Sequence, residues 1–328
     1  MINRLHILII LVFIFSSCSD FSGNEDAVEA SLKPAPVTRN NNNNNNDDTP
    51  TRTYNLNAIT FGNNTFVAVG ESGVVRTSSD NGDTWDNGTP GKNIQLNEIA
   101  YGNSTFVAVG KSGTHLYSTD NGATWDNGTW SDSDWVTGVA FGNNTFIGVS
   151  STYLTKSTDN GANWVRACSG VRVYDMSFGN NKFVGSGAEG AIQISDNGSG
   201  CATPSGSGSG TTEETLYGIT FGNNRFLTVG SDGWLSITSD NGNNFTPLTI
   251  PTGASHLYSS AYGNNIFVTV GNKSVVVSNN DGSSNPILKE NTLSFNDVTF
   301  GNGYFVAVGN DEIIYRSTDG DTWTKVHP

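Results

Sequence analysis

Basic side chains are scarce in this 328-residue chain: 16 Lys and Arg stand against 30 Asp and Glu, a formal charge of −14. That balance repels phosphate backbones and anionic lipid heads, which excludes a nucleic-acid binder and a polybasic membrane mode. Histidine and cysteine are scarcer still, at 4 and 3 residues. No His/Cys cluster has metal-ligand spacing, so neither a metal nor a cofactor is expected. A nucleophile elbow and a phosphate-cradling glycine loop are also missing. Beyond residue 15 there is no long apolar run, and the early one, Leu5–Phe15, is too short for an ordinary membrane span.

That early run has Arg4 before it and Ser16-Ser17-Cys18 after it. A positive n-region, a short apolar core and small residues make residues 1–18 an export signal outside the fold. Small residues directly before a cysteine resemble a bacterial lipobox. The resemblance implies that Cys18 carries lipid, and that the chain sits in a bacterial envelope, on an outer membrane, attached only through that anchor. Residues 19–53 hold a Pro-spaced KPAPVTR, then Asn40–Asn46 and two aspartates, with no apolar periodicity. They read as a disordered tether.

From residue 54 onward one unit recurs. An aromatic-Gly-Asn step occurs at Phe61, Tyr101, Phe141, Phe178, Phe221, Tyr262 and Phe300, with spacings of 40, 40, 37, 43, 41 and 38. A period near 40 is the mark of a solenoid, propeller or array. Within a copy the runs LNAITF, TFVAVG and VVRTS, and a fourth opening at Trp85, are rich in Val, Ile, Thr and aromatics. Gly/Asn/Asp/Ser clusters separate them. The prediction is all-β: a single seven-bladed β-propeller over 54–328, each blade a four-stranded antiparallel sheet. Gly198–Thr212 is so poor in apolar residues that blade four's outer strand should be frayed or absent. Cys168 and Cys201 could pair in an oxidising envelope. Their places at the end of blade three and the start of blade four's outer strand point to opposite ends, so the pairing stays open.

Each copy carries a second landmark, SSDNGDTW in the first (Ser78–Trp85). It resembles the Asp-box (BNR) repeat, S-x-D-x-G-x-T-W. The match runs through Asp80 and Trp85, Asp120 and Trp125, Asp159 and Trp164, Asp240 (with Phe245 for Trp), and Asp319 and Trp323. Copy four has Cys201 in place of Trp, and copy six Asn280 in place of Asp. The resemblance implies a hairpin turn in which the carboxylate accepts backbone N–H bonds, glycine is left-handed and Trp anchors. A calcium loop is the other reading of an Asp-Asn-Gly turn, but a Trp rather than a distal Glu favours the structural one.

In a propeller, the inter-blade connectors share one face with the loops joining second and third strands, opposite those turns. Trp130, Trp135, Tyr153, Arg172 and Tyr174 fall there on neighbouring blades three and four, and are read as an exposed patch for a glycan or peptide. The residue three before each step is small except Glu98, Asp175 and Asp297. These channel carboxylates are solvated lining or, less simply, an acid/base pair.

Asp-box repeats are also found in sialidases, but a sialidase needs three arginines around its substrate and an Arg-Ile-Pro segment, which is lacking here. The layout is similar to the photosystem II assembly-factor type of propeller, without that type's basic patch. Xyloglucanase-type hydrolases use a cleft between two propellers, and one domain offers none. The function expected is a non-catalytic, monomeric, envelope-anchored propeller binding a glycan or protein. A glycoside hydrolase and a scaffold for an envelope complex are the alternatives.

Overall fold

The computed structural model describes residues 53–327, apart from 89–91, 131, 151, 197, 199, 201, 203–213, 250–252, 280–286 and 291. The expected export signal, Cys18 and the tether up to residue 52 lie outside the described residues. Blade one consists of Leu56–Gly62, Thr65–Gly70, Val75–Ser78 and a two-residue outer strand, Asp86–Asn87. The same meander recurs seven times. Six sheets have four strands, and blade four has three among the described residues, Val173–Gly179, Lys182–Gly187 and Ile192–Ser195. Among the described residues a lone bridge between Ile194 and Ala202 pairs with its outer edge; most of the stretch in which the sequence predicts a frayed or absent strand lies outside them. Cys168 is disulfide-bonded, and both other cysteines, Cys18 and Cys201, lie outside the described residues.

The first strands contact one another in order, and Asp297–Gly301 of blade seven meets Leu56–Gly62 of blade one. They therefore form the innermost ring. Apolar packing is divided among the joints, each cluster drawing on two adjacent blades: Val67, Val75, Leu96 and Phe106 between one and two, for example, and Leu56, Phe66, Val306 and Val308 between seven and one. No outer strand is exchanged to close the circle, since blade one and blade seven each contain only consecutive strands. Closure instead uses the contacts of any other joint, with an added buried ion pair, Arg76–Glu312. The Glu312 carboxylate also accepts the Tyr54 N–H.

The repeated motifs explain the joints. A Cβ on the glycine of each aromatic-Gly-Asn step would strike the aromatic ring of the next blade: Gly62 on Tyr101 at 2.0 Å, Gly142 on Phe178 at 2.1 Å, and Gly301 back on Phe61 at 2.2 Å. Glycine at this step lets seven rings lie flat on seven backbones. The following Asn-Asn pair takes positive φ in every blade that has it, 45° and 58° at Asn63 and Asn64, as a two-residue hairpin requires. The first of these asparagines reaches the turn of the next blade, Asn63 Nδ2 donating to Asn121 Oδ1 at 2.8 Å and Asn180 to Asn241 at 2.9 Å.

The S-x-D-x-G-x-T-W turns then clamp each blade to the one before. Asp80 Oδ1 accepts the Thr84 N–H at 2.9 Å and Oδ2 the Thr84 hydroxyl at 2.6 Å. Ser78 Oγ takes the Gly82 N–H at 2.9 Å, and Trp85 Nε1 donates to the Gly82 carbonyl at 3.2 Å. Gly82 is left-handed at φ 79° and faces Val306 of blade seven; Gly122 and Gly161 likewise face Val67 of blade one and Val107 of blade two. Partial burial opposes the Asp80 charge, but the bonds from Thr84, Ser78 and Asp83 outweigh it and hold its pKa down at about 2.

Candidate functional site

Loops and connectors meet at the face opposite these turns. Glu71 N–H donates to the Asn55 carbonyl at 2.9 Å, Ala188 to Arg172 at 3.0 Å, and Asn272 to His256 at 2.9 Å. Each loop is thus tied to the entry of its own blade's inner strand.

Just inside this face a β-bulge interrupts the inner strands of blades one to six, for example between Leu56 and Ala58. The extra residue turns its side chain toward the next joint. Four of the residues at this level bridge the joint: Asn57 donates to the Leu96 carbonyl at 2.7 Å, Asn97 to Val136 at 2.9 Å, Thr137 to Tyr174 at 2.8 Å and Asn296 to Leu56 at 2.8 Å. The other three are Tyr174, Tyr217 and Tyr258, on consecutive blades. Tyr217 meets Tyr258 edge-on at 5.7 Å between ring centroids and His256 at 6.2 Å. Burial raises all three phenol pKa values; at Tyr217 the neighbouring Tyr258 and Asp232 add to it, at Tyr174 Arg172 opposes it. Among the described residues, none hydrogen-bonds to these three hydroxyls. Asp232 N–H donates to His256 Nδ1 at 3.1 Å, which leaves the imidazole proton on Nε2.

The channel carboxylates lie one residue further along. Asp175 accepts the N–H of Met176 at 2.6 Å and of Ile219, in the next blade, at 2.9 Å. Asp297 accepts the N–H of Ile59 across the closing joint at 2.7 Å and the Ser259 hydroxyl at 2.5 Å. Glu98 takes the Ile99 N–H at 2.9 Å. Burial pushes Glu98 well above the usual carboxylate range, with Asp297 and Asp175 adding repulsion. Burial likewise lifts Asp175 to about 7 and Asp297 to about 6, against the hydrogen bonds each accepts. Among the described residues no Lys or Arg pairs with any of the three, and no group of His, Cys, Asp and Glu is arranged to hold a metal ion. The carboxylates do more than line a channel, since Asp175 and Asp297 each tie two blades. The intervening positions must be small: a Cβ at Gly218 would sit 2.5 Å from the Tyr258 carbonyl and one at Gly138 2.8 Å from that of Tyr174.

The aromatic patch expected from the sequence is not one surface. Tyr153 is 2% exposed, with the Arg166 guanidinium 4.2 Å over its ring and Trp130 packed at 5.9 Å. Trp130 turns inward onto His115 as well, at 6.1 Å. His115 is buried against Trp164 at 4.3 Å, and burial lowers its pKa to about 4. Trp130 and Tyr153 are therefore joint packing between blades two and three, because the connector folds down rather than standing out. Trp135 remains half-exposed under the Lys111 ammonium at 4.2 Å. Arg172 is exposed and paired with Glu189 at 3.0 Å, and Tyr174 belongs to the tyrosine arc. Arg76 reaches Glu312 on the connector side. Tyr217 and Tyr258 went unnoticed in the sequence. The residue four before each aromatic-Gly-Asn step would have shown them, reading Asn57, Asn97, Thr137, Tyr174, Tyr217, Tyr258 and Asn296.

These features define a seven-bladed β-propeller with an aromatic and acidic channel mouth. No family model matches the chain, and no curated protein matches it. Solved structures do. YCF48 bound to D1 peptide superposes with a TM-score of 0.66 at 18% identity, over 81% of this chain and 94% of that one. YCF48 from Cyanidioschyzon merolae gives 0.55 at 17%, over 70% and 84%. The WD40 propeller domain of Doa1 gives 0.62 at 18%, over 80% and 92%. At such identities the likeness is one of fold.

Proposed function

We propose that this chain is a non-catalytic binding scaffold whose connector face holds a protein partner. One observation carries the reading: three consecutive joints expose tyrosines whose hydroxyls no described residue engages at the channel mouth, where the other four are closed by amides or a hydroxyl. Half-buried aromatics combine contact area with low entropic cost, as interface anchors do. That YCF48, of similar fold, is seen with a bound peptide supports a protein over a glycan. The S-x-D-x-G-x-T-W turns form the opposite face and serve as Asp-box clamps. Trp135, Arg172 and Tyr174 border the mouth and remain candidate contacts, and Ser16-Ser17-Cys18 supports a lipid anchor in a bacterial envelope.

The test is a photo-crosslinking amino acid placed at Tyr217, Trp135 or, on the turn face, Asn121, in the native cell. Adducts from the first two sites and none from Asn121 are expected; the reverse pattern defeats the reading. A second reading rests on Asp175, whose pKa near 7 suits a general acid in a glycosidase. Hydrolysis of aryl glycosides that vanishes with Asp175→Asn would establish it.

A further inference from the structure

We infer that the channel mouth is a receptor for a single cationic side chain of a peptide, an arginine laid on the Tyr174–Tyr217–Tyr258 arc with its charge toward the channel. The inference rests on the scaffold reading and names the chemistry of the partner. Three features of the mouth select a cation over a neutral or acidic group.

The first is the arc itself. Ring faces attract a guanidinium, which is planar and stacks on tyrosine. The edge-on packing of Tyr217 on Tyr258 and on His256 holds the central ring upright. The phenol hydroxyls, which take no hydrogen bond from any described residue, can accept N–H bonds from a ligand.

The second is unmatched charge. On the connector face Arg172 pairs with Glu189 and Arg76 with Glu312, Lys111 lies over Trp135 and Lys273 is exposed on the loop beside His256, so no described cation of the rim enters the channel. Glu98, Asp175 and Asp297 have no basic partner among the described residues, and burial together with their mutual repulsion holds back their ionisation. An arriving positive charge relieves that repulsion, and the low-dielectric channel walls strengthen the attraction.

The third is space. The seven residues at the carboxylate level are Ala58, Glu98, Gly138, Asp175, Gly218, Ser259 and Asp297, and four of these are small. Glycine at 138 and 218, imposed by the approach of the neighbouring strands, keeps the level beneath the arc free of bulky side chains.

The test uses the full chain in detergent micelles and two blocked pentapeptides, Ac-Gly-Gly-Arg-Gly-Gly-NH2 and its citrulline counterpart, titrated by NMR. Citrulline keeps the shape and loses the charge. The arginine peptide is expected to bind about ten-fold more tightly, in keeping with a desolvated cation–π contact. Its affinity should fall several-fold between about 0.02 M and about 0.2 M salt. Tyr217→Leu and Asp297→Asn should each weaken it about ten-fold, and Tyr217→Phe, which keeps the ring and loses only the hydroxyl acceptor, by about two- to four-fold, while Asp126→Asn, on an outer strand, leaves it within about two-fold. Thermal melts identify any variant that has lost its fold, and Tyr217→Phe against Tyr217→Leu then carries the decision. Equal binding of the citrulline peptide overturns the inference, as does indifference to Tyr217→Leu. Cellotetraose bound with the same Tyr217 dependence would make the arc a sugar platform and overturn it too. If neither peptide binds while crosslinks still map to the connector face, the cation receptor is wrong and the scaffold reading stands. If the arginine peptide binds as expected but crosslinks map to the turn face, the converse holds.

Discussion

Replacing Gly142 by alanine tests the central packing claim, because two general effects of that change have opposite signs. Gly142 has no left-handed backbone, so alanine should stabilise by about 0.4–1 kcal/mol through the unfolded chain, were there room. The added Cβ would instead lie 2.1 Å from Phe178 Cγ and 2.3 and 2.4 Å from its two Cδ atoms. Carbon contacts are comfortable at about 3.5–4.0 Å, so the ring would have to retreat by well over an ångström. It has nowhere to go: Phe183 lies 4.7 Å behind it, and Gly179, the residue after Phe178, is itself so closely covered by the Phe221 ring that a Cβ there would meet it at 2.1 Å. Overpacking of this kind costs about 1–3 kcal/mol and more when relaxation is blocked. A net loss of about 3 kcal/mol is expected, a fall in Tm on the order of 6–10 °C for a domain of this size. Urea denaturation of wild type, Gly142→Ala, Phe178→Ala and the double variant measures it. Truncating the half-buried Phe178 should cost about 2–3 kcal/mol alone, yet in the double variant the two losses should fall short of additive by at least about 1 kcal/mol. A neutral or stabilising Gly142→Ala, or a strictly additive cycle, would refute the argument that these glycines exist to seat the neighbouring rings.

Stability should depend on pH in two opposed ways. Asp175 and Asp297 have pKa values raised to about 7 and 6 in the fold, so the native state binds their protons more tightly and stability falls as pH rises from about 4 to about 7. At about 1.4 kcal/mol per pKa unit the two together should lose about 3–5 kcal/mol, allowing for their mutual repulsion being shared, and Asp297→Asn should flatten the decline seen by urea denaturation. Asp80, held down at about 2, contributes above about pH 4 and is lost as pH falls through about 2, so stability should peak between these limbs near pH 4–5. Trp125→Ala, removing a side chain 7% exposed, should cost about 3–5 kcal/mol, and Trp85→Ala, half-buried, about 2 kcal/mol; neither should alter partner affinity in the folded fraction, and loss of binding at unchanged Tm would mean that the faces are reversed. Cys18→Ala should abolish acyl labelling and release the chain from the membrane fraction; unchanged labelling would exclude the lipid anchor.

Most of the architecture was legible because it is written locally and seven times over. Asn-Asn at a hairpin, Asp-Asn-Gly at a turn, and the β-rich runs between them each fix a few consecutive backbone angles, and the period of about 40 states how often. The site is different in kind. A bulge adds one residue to the inner strand, so alternation counted from the strand end loses its phase there; the repeat places Tyr174, Tyr217 and Tyr258 at one level, but the folded backbone shows that this level turns toward the joints at the mouth. Trp130 turns inward between His115 of blade two and Tyr153 of blade three, and Asp297 finds its partner at Ile59, 238 residues earlier. The sequence by itself determined the blade, the turn and the number of repeats, since these need only neighbours along the chain. The tertiary structure alone decided which side chains line the mouth, because contacts across a joint join residues that no local pattern links.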